Sequence, residues 1–352
     1  MTKILGLSLY GPQAASHRYR LGQYVPGLAQ AGIDLQIQSL LNDDYLVNRF
    51  AGRPTPWGSV LKSAEQRLRV LINRDNFAGA ILHCELCPLL PGSLERLLLP
   101  KPYIYDFDDA FFLKYQQGRL GVLRPMLGMK FDKIIAGAAA VTAGNSYLTN
   151  YAQEFNTNVN LLPTVVDTMR YKPKTRSLNA EFTVGWVGSP STAPYLAALV
   201  EPLALLAKES PVRLVVVGAL APFIPGVVIE NITWDENTEI HQINRFDVGV
   251  MPLTDNNWAR GKCGFKLIQY MACGVPVVAS RVGANVDIVS PRCGFLVEDS
   301  AEWLAAFRVL RDDAPRRAEM GVAARTRIEA EYSLSRNLPV LIRIVEEMLV
   351  IQ

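Results

Sequence analysis

A glycine- and lysine-rich segment late in the chain has the composition of a phosphate-binding site. Gly261 and Gly264 leave backbone amides unobstructed where a helix, Phe265–Ala272, is predicted to begin. Amides at a helix N-terminus attract phosphate, and Lys262 and Lys266 add positive charge beside them. The segment therefore predicts a site for a phosphorylated ligand. An ordinary glycine-containing helix start is the alternative.

A second candidate phosphate loop follows a predicted buried strand. The sequence "GWVGSPST" places Gly188, Ser189 and Thr192 immediately before a predicted helix. Small hydroxyl residues at this position either bind a diphosphate or cap the helix. We expect capping, and phosphate contact remains open.

The first half of the chain offers a glycine and two arginines directly after its first predicted strand. Gly11 allows its loop to approach a ligand closely, and Arg18 and Arg20 follow in a helix predicted from about Arg18 to Ala31. Arginines two positions apart lie on different faces of a helix, so at most one points towards a ligand. We favour Arg18.

Three carboxylates stand together in "YIYDFDDAFF", at the carboxyl end of another predicted strand. Asp106, Asp108 and Asp109 are costly to gather unless they are solvated, paired or binding something. A solvated turn that caps a helix is one interpretation. The other is a site that binds hydroxyl groups and assists acid/base chemistry.

The other motifs in the sequence indicate few alternative kinds of functional site. Cys84 and Cys87 have the spacing of a metal or redox pair, but a structural zinc site needs four convergent ligands and the sequence has no second pair. We therefore predict no metal site. The sequence lacks G-x-S-x-G, H-E-x-x-H and G-x-x-x-x-G-K-[ST], so hydrolase, zincin and P-loop interpretations lack their key residues.

The elements that position these residues alternate between strands and helices through both halves of the chain. Such alternation is typical of a parallel sheet with helices on both faces. A polar stretch around residues 167–181, with Pro173, reads as a linker. The sequence thus predicts two doubly wound α/β domains, residues 1–172 and 178–336, facing a cleft. Ligands bind such sheets at the carboxyl ends of the strands.

Composition and charge further restrict the kinds of ligand and partner that the protein can have. The chain has 352 residues with a net charge of +3, and residues 1–175 carry 19 Lys and Arg against 13 Asp and Glu. The net charge is too small to indicate a nucleic-acid partner, but a basic first half suits an anionic ligand or membrane surface. Ordinary variation of surface charge is the alternative. We expect neither a signal peptide nor a spanning helix, which needs about 20 mainly apolar residues.

The segment "DNNWARGKCGFKLIQYMACGVPVVAS" resembles the donor-binding motif of family 4 glycosyltransferases. Three more stretches are similar to that family in order and spacing: "VTAGNSYLTNYAQEFNTNVNLLPTVVDTMRYKP", "VGANVDIVSPRCGFLVED" and "LRDDAPRRAEMGVAARTRIEAEYSL". The resemblance covers about residues 130–340. The form "GKCGFKLIQYMA" looks like a subgroup in which Gly261 and Gln269 replace the two glutamates of the usual motif.

This resemblance implies a GT-B architecture of two Rossmann-like domains, with a C-terminal helix, 337–352, crossing back to the first domain. It implies a retaining transfer from a nucleotide-diphosphate sugar to a hydroxyl acceptor, with no metal and no other cofactor. The expected setting is bacterial surface glycan synthesis in the cytoplasm, on a glycan or lipid-linked acceptor, with peripheral contact at the inner membrane face.

The resemblance also assigns site residues. Donor binding is expected from residues in the second domain: Gly188, Ser189, Thr192, Gly218, Trp234, Arg260, Lys262, Gly264, Phe265, Lys266 and Gln269. Catalysis is expected from four charged groups: Asp108, Asp109, Lys262 and Lys266. Acceptor contacts are expected from Gly11, Arg18 and Asp106. For Trp234, core packing is the alternative to a wall for the nucleotide base.

Two other functions remain open at this point. The replacement of both motif glutamates is compatible with a catalytically silent binding partner. A nucleotide-sugar 2-epimerase shares the architecture, although Gly261 supplies no carboxylate for it. An NAD-linked enzyme is disfavoured because no G-x-G-x-x-G follows a strand.

Overall fold

The computed structural model describes residues 1–116, 118–174 and 181–350. The chain divides into two compact units. The first comprises Met1–Thr164, Gly261–Cys263 and Leu334–Gln352, and the second comprises Val165–Arg260 and Gly264–Ser333. Residues 175–180, part of the predicted linker, lie outside the described residues.

The first unit is built on six parallel strands in the order β2-β1-β3-β4-β5-β6. The strands are β1 (Thr2–Tyr10), β2 (Ile33–Leu41), β3 (Gly79–His83), β4 (Tyr103–Phe107), β5 (Ala140–Ala143) and β6 (Val159–Leu161). β3, β4 and β5 are buried along their whole length, as their continuous apolar runs predict for a sheet covered on both faces.

The helices of this part of the chain connect successive strands. They are α1 (Val25–Gln30), α2 (Asp43–Phe50), α3 (Trp57–Ile72), α4 (Gly92–Leu98), α5 (Arg124–Leu127), α6 (Lys130–Ala136) and α7 (Ser146–Gln153). Shorter turns of other helical types are His17–Leu21, Gly22–Tyr24, Arg74–Asn76, Phe111–Tyr115 and Gly118–Leu123. The single helix expected from about Arg18 to Ala31 is therefore broken into a π-helical turn, a 3-10 turn and α1.

The second unit has six parallel strands in the order β12-β11-β10-β7-β8-β9. The strands are β7 (Phe182–Val187), β8 (Val212–Val217), β9 (Val228–Ile232), β10 (Val248–Met251), β11 (Val277–Ser280) and β12 (Gly294–Val297). Read from β9, this is the strand order of the dinucleotide-binding Rossmann sheet, whose direction of winding reverses between β7 and β10.

Among the described residues of the second unit, a 3-10 turn, Ala193–Leu199, and seven helices complete the fold. The helices are α8 (Val200–Ala207), α9 (Glu239–Ile243), α10 (Asn257–Arg260), α11 (Phe265–Ala272), α12 (Ala284–Ile288), α13 (Ser300–Asp312) and α14 (Ala314–Glu331). α11 has the predicted bounds.

The last helix, α15 (Leu334–Val350), packs within the first unit. A Cβ added to Gly27 would lie 2.2 Å from a methyl carbon of Leu338, and one added to Gly79 would lie 2.8 Å from the Met348 methyl carbon. These close approaches fix α15 against α1 and the start of β3.

The α/β class with two Rossmann-like parallel sheets is thus confirmed. The contact boundary falls at residues 164 and 165, earlier than the predicted 172–178. Tyr171 explains the difference, because its buried hydroxyl donates to Glu239 in the second unit at 2.8 Å.

Candidate functional site

In the second unit, the loop after β7 lies at the point where the sheet reverses its winding direction. β7 pairs with β8 on one side and with β10 on the other. In sheets of this kind, the crevice for a ligand opens at the carboxyl ends of the strands at this point. Residues 188–192 follow β7 directly, so the fold places the predicted second phosphate loop there.

Lys266, in the first turn of α11, reaches this loop. Its Nζ donates to Thr192 Oγ1 at 3.2 Å and lies 4.3 Å from the centre of the Trp186 ring. A Cβ at position 188 would lie 2.6 Å from the same Nζ and 2.4 Å from a ring carbon of Trp186, so only glycine fits. The two predicted phosphate segments therefore meet around one lysine ammonium.

The loop itself is a tight turn rather than a helix cap. The backbone N–H of Thr192 donates to the Ser189 carbonyl at 2.9 Å, and its hydroxyl donates to the same oxygen at 3.1 Å. No side chain caps the 3-10 turn that begins at Ala193, so the expected capping role of Thr192 is wrong. The Ser189 hydroxyl is exposed, within 2.8 Å of the Ser191 hydroxyl.

A buried carboxylate, Glu239, organises the neighbouring side chains. Its two oxygens accept the Trp234 indole N–H at 2.7 Å, the Tyr171 hydroxyl at 2.8 Å and the Gln269 amide at 2.9 Å. Gln269 Nε2 also donates to the Tyr171 hydroxyl at 2.9 Å. The amide nitrogen of Gln269, a residue predicted to bind the donor, is thus committed within the protein. Sequence reasoning missed Glu239 because no local pattern marks it.

Four other predicted donor residues have local structural contacts. Gly218 has φ +89°, and a Cβ there would lie 2.3 Å from the Gly188 carbonyl oxygen. Gly264 has φ +63° and is the residue from which α11 starts, and Phe265 is half-buried behind it. The Arg260 guanidinium makes an exposed two-point ion pair with Asp255 at 2.7 and 2.9 Å.

Residues 261–263 belong to the first unit, whereas α11 belongs to the second. Asn145 Nδ2 donates to the carbonyl oxygens of Gly261 at 3.1 Å and Lys262 at 3.0 Å, and the Cys263 thiol donates to the Asp108 carbonyl at 3.0 Å. A Cβ on Gly261 would lie 2.5 Å from the Ala110 Cβ. The glutamate of the usual motif therefore has no room at this position.

These contacts of residues 261–263 bring Lys262 close to Asp108 and Asp109. Lys262 Nζ lies 3.6 Å from Asp109 Oδ1, and about a third of the Asp109 side chain stays exposed. Loss of solvation raises the pKa of Asp109 to about 6; the Lys262 charge opposes this shift and the Asp108 charge adds to it. A carboxyl group that titrates near neutrality suits acid/base chemistry. Of the predicted catalytic residues, Asp108, Asp109 and Lys262 belong to the first unit and Lys266 belongs to the second.

Asp106 is a buried anchor, which argues against the predicted acceptor contact. Its oxygens accept hydrogen bonds from the Arg20 guanidinium, from His83 Nδ1 at 2.7 Å and from Thr142 Oγ1 at 2.6 Å. Burial raises the pKa of Asp106, but the Arg20 charge and the bonds from His83 and Arg20 outweigh it and hold the pKa well below its usual range. Both carboxylate oxygens of Asp106 therefore already accept hydrogen bonds from within the protein.

The predicted choice between the two arginines is also wrong. Arg20 is buried and reaches the strand ends, where its Nη1 donates to the Leu162 carbonyl at 2.7 Å. Arg18 instead folds back onto its own loop and donates to the Pro12 and Gln13 carbonyls at 2.9 and 2.7 Å. At Gly11, a Cβ would lie 2.6 Å from Asp43 Oδ1, so this glycine serves packing of the loop on α2.

One group of potential metal ligands occurs among the described residues. His83, Cys84 and Asp108 place their ligand atoms within 4.8 Å of one another. His83 Nε2 is 3.1 Å from Cys84 Sγ and 3.6 Å from Asp108 Oδ1. Cys87, which has metal or redox spacing from Cys84, is not part of this group. The absence of a metal stays a prediction.

Comparison with known proteins finds sequence similarity in part of the chain. Residues 181–313 match the family model described as glycosyl transferases group 1. The chain is 42% identical over 72 residues to a GDP-mannose-dependent monoacylated alpha-(1-6)-phosphatidylinositol monomannoside mannosyltransferase of Corynebacterium glutamicum, covering 20% of this chain and 19% of that protein. It is 40% identical over 86 residues to a D-inositol 3-phosphate glycosyltransferase of Pseudarthrobacter chlorophenolicus, covering 24% and 19%. The matches thus span about a fifth of the length of these relatives.

Solved structures resemble the chain over its full length. Sucrose-phosphate synthase from Thermosynechococcus elongatus has a TM-score of 0.73 at 14% identity and covers 100% of both chains. Anabaena HepE in complex with UDP and glucose has a TM-score of 0.69 at 14% identity, covering 98% of this chain and 100% of that one. The chain therefore has the fold of GT-B glycosyltransferases, and its second unit carries the sequence pattern of glycosyl transferases group 1.

The Asp106 arrangement predicts a large loss of stability in Asp106→Asn. The substitution leaves the buried Arg20 charge without its partner, which costs about 3–5 kcal/mol in the free energy of unfolding. Because the pKa of Asp106 is held low, its stabilisation is present above about pH 4 and is lost as the pH falls further. Urea unfolding of variant and wild type at several pH values checks both effects. Asp312→Asn, in an exposed pair with Arg311, is the control, and an equal loss in the two variants would contradict the assignment.

The Asp109 environment predicts opposite shifts in two variants. Lys262→Met removes a charge that lowers the pKa of Asp109, so that pKa should rise by about one unit. Asp108→Asn removes a charge that raises it, so the pKa should fall. NMR titration of the side-chain carboxyl carbon reports both, with exposed Lys133→Met as the control. Shifts of the same sign in both variants would refute this account of the cluster.

Proposed function

We propose that the protein is a retaining glycosyltransferase that moves a sugar from a nucleotide-diphosphate sugar to a hydroxyl acceptor without a divalent metal. The observation that carries the proposal is the Lys266 ammonium held over Gly188 and Thr192 at the reversal point of the second sheet. The group 1 match over residues 181–313 and the fold shared with HepE, whose structures hold UDP and UDP-glucose, support it.

In this proposal the second unit binds the donor. The diphosphate lies at the start of α11 and at the loop after β7, where Lys266 supplies positive charge and Thr192 a hydroxyl. A preorganised cation next to the leaving phosphate stabilises the charge that develops as the sugar bond breaks. Gly188 permits the close approach. Ser189, in the same loop, provides a second hydroxyl.

The first unit supplies the groups for the acceptor. Asp108 and Asp109, which follow β4, and Lys262 beside them are partly buried charged groups. We assign them to binding the acceptor hydroxyl. The acceptor oxygen would attack the anomeric carbon on the face that the diphosphate leaves, and a departing phosphate oxygen would take its proton. This route retains the anomeric configuration and uses no metal.

The alternative is a catalytically silent protein that binds a nucleotide sugar. The commitment of the Gln269 amide to Tyr171 and Glu239 favours it, as does the lack of room for a side chain at Gly261. A transfer assay that follows nucleotide diphosphate release separates the two functions. We further propose a role in bacterial surface glycan synthesis on a glycan or lipid-linked acceptor, with peripheral contact to an anionic membrane surface.

The donor site predicts that Lys266→Met weakens nucleotide binding about ten- to a hundred-fold, the worth of one charge-assisted phosphate contact. Calorimetric titration with UDP and with GDP measures the change. Lys208→Met, an exposed lysine of the same unit, is the matched control. If the Lys266 and Lys208 variants bind equally well, the donor site is wrongly placed.

The metal-independent reaction predicts that transfer survives excess EDTA, because lysine charge and backbone amides stabilise the leaving phosphate. The assay compares initial rates with chelator, without chelator, and after addition of magnesium, manganese or zinc. Activity that chelator abolishes and a metal restores would contradict the proposal. His83→Gln then tests whether the His83, Cys84 and Asp108 group holds that metal.

A further inference from the structure

The outer surface of α3 exposes large apolar side chains in a single stripe. Trp57, Leu61, Leu68 and Ile72 are 68%, 67%, 55% and 71% exposed. Their offsets of 0, 4, 11 and 15 fall within about 60° of arc at 3.6 residues per turn. Scattered apolar residues are normal on a protein surface, but a stripe along a whole helix marks an interaction site.

The next helix in the layer continues this surface. On α4, Leu94 and Leu97 are 47% and 66% exposed. Arg74, just after α3, donates to the Leu97 carbonyl at 2.7 Å, so the C-terminal ends of the two helices are neighbours. The connections from β2 to β3 and from β3 to β4 run in the same direction across the sheet. Right-handed crossovers therefore place α3 and α4 on one face.

A third segment extends this exposed apolar surface beyond α4. Met126 in α5 and Met129 before α6 are 55% and 62% exposed. α6 packs against α4, since Lys130 Nζ lies 2.8 Å from Glu95 Oε1 in the buried space between them. We call the combined surface of α3, α4, α5 and α6 the α3–α6 face.

The charges on the α3–α6 face are mostly positive. The helices carry Arg67, Glu95 and Lys130 in buried positions, where they are paired or hydrogen-bonded inside the unit. The remaining charged residues on these helices and at their starts are Lys62, Arg69, Arg96, Arg124 and Lys133, against Glu65 and Asp132. Five positive and two negative groups give a net charge of +3.

We propose that the α3–α6 face docks on the surface of an anionic lipid bilayer. Trp, Leu, Ile and Met side chains can enter the boundary between headgroups and acyl chains, while lysines and arginines contact anionic headgroups. A second copy of the chain fits less well, because an isologous contact would set this net positive surface against itself. The inference deepens the membrane contact proposed above and rests on it, but it involves no transfer reaction.

Vesicle flotation of the full chain tests the face. We expect binding to vesicles of phosphatidylcholine with roughly 30% phosphatidylglycerol, at least ten-fold weaker binding to phosphatidylcholine alone, and weakening by salt. Leu61→Ser with Leu68→Ser should lower binding at least ten-fold. Leu220→Ser with Phe223→Ser, which replaces two residues 78% and 82% exposed in the second unit, is the matched control.

Circular dichroism and thermal unfolding establish that each variant is folded before its binding is compared. Lys62→Glu with Arg96→Glu should weaken binding to the anionic vesicles without changing thermal stability. Failure of the wild type to bind anionic vesicles would overturn the proposal, as would equal losses in the face and control variants. A dimer that only the face variant dissociates would assign the face to a second copy instead. Nucleotide binding is measured separately, so the donor site can stand or fail on its own.

Discussion

Buried carboxylates, with the charges and hydrogen bonds that they require, constrain the loops of both units more than any other single feature. A buried carboxylate is tolerated only when charges and hydrogen bonds replace its lost hydration, and both units contain such carboxylates. In the first unit Asp106 gathers Arg20, His83 and Thr142 from three separate segments. In the second unit Glu239 gathers Tyr171, Trp234 and Gln269. The loops around each carboxylate are thereby fixed.

The groups proposed to meet a ligand lie one layer outside these anchors. Asp108 and Asp109 follow Asp106 directly and are more exposed, and Lys262 reaches them because Asn145 holds the backbone of residues 261–263. In the second unit, Lys266 and Gln269 sit on the same short helix, one at the phosphate loop and one on Glu239. Rigid supports of this kind allow a few charged groups to be held ready for a charged ligand.

The sequence predicts the fold well, whereas the roles of the site residues stay predictions. Alternating strands and helices, and the bounds Phe265–Ala272, follow from apolar periodicity and glycine positions, which are local signals. The meeting of Gly188, Thr192 and Lys266 follows from the rule that strand ends in a parallel sheet share one edge. Glu239 and the Arg20–Asp106 pair could not be found this way. Asp106 lies 86 positions from Arg20, and Glu239 lies 30 and 68 positions from Gln269 and Tyr171. Only the packed structure shows which of these polar groups are buried together.

The central claim is that a nucleotide diphosphate binds in the second unit at the loop after β7 and the start of α11. Hydrogen–deuterium exchange of the full chain, with and without saturating UDP or GDP, tests it most directly. We expect ligand-dependent protection of the amides in residues 188–192 and 264–269, with little change in residues 57–72 of the first unit. Unchanged exchange in residues 188–192 and 264–269, with protection confined to the first unit, would contradict the account.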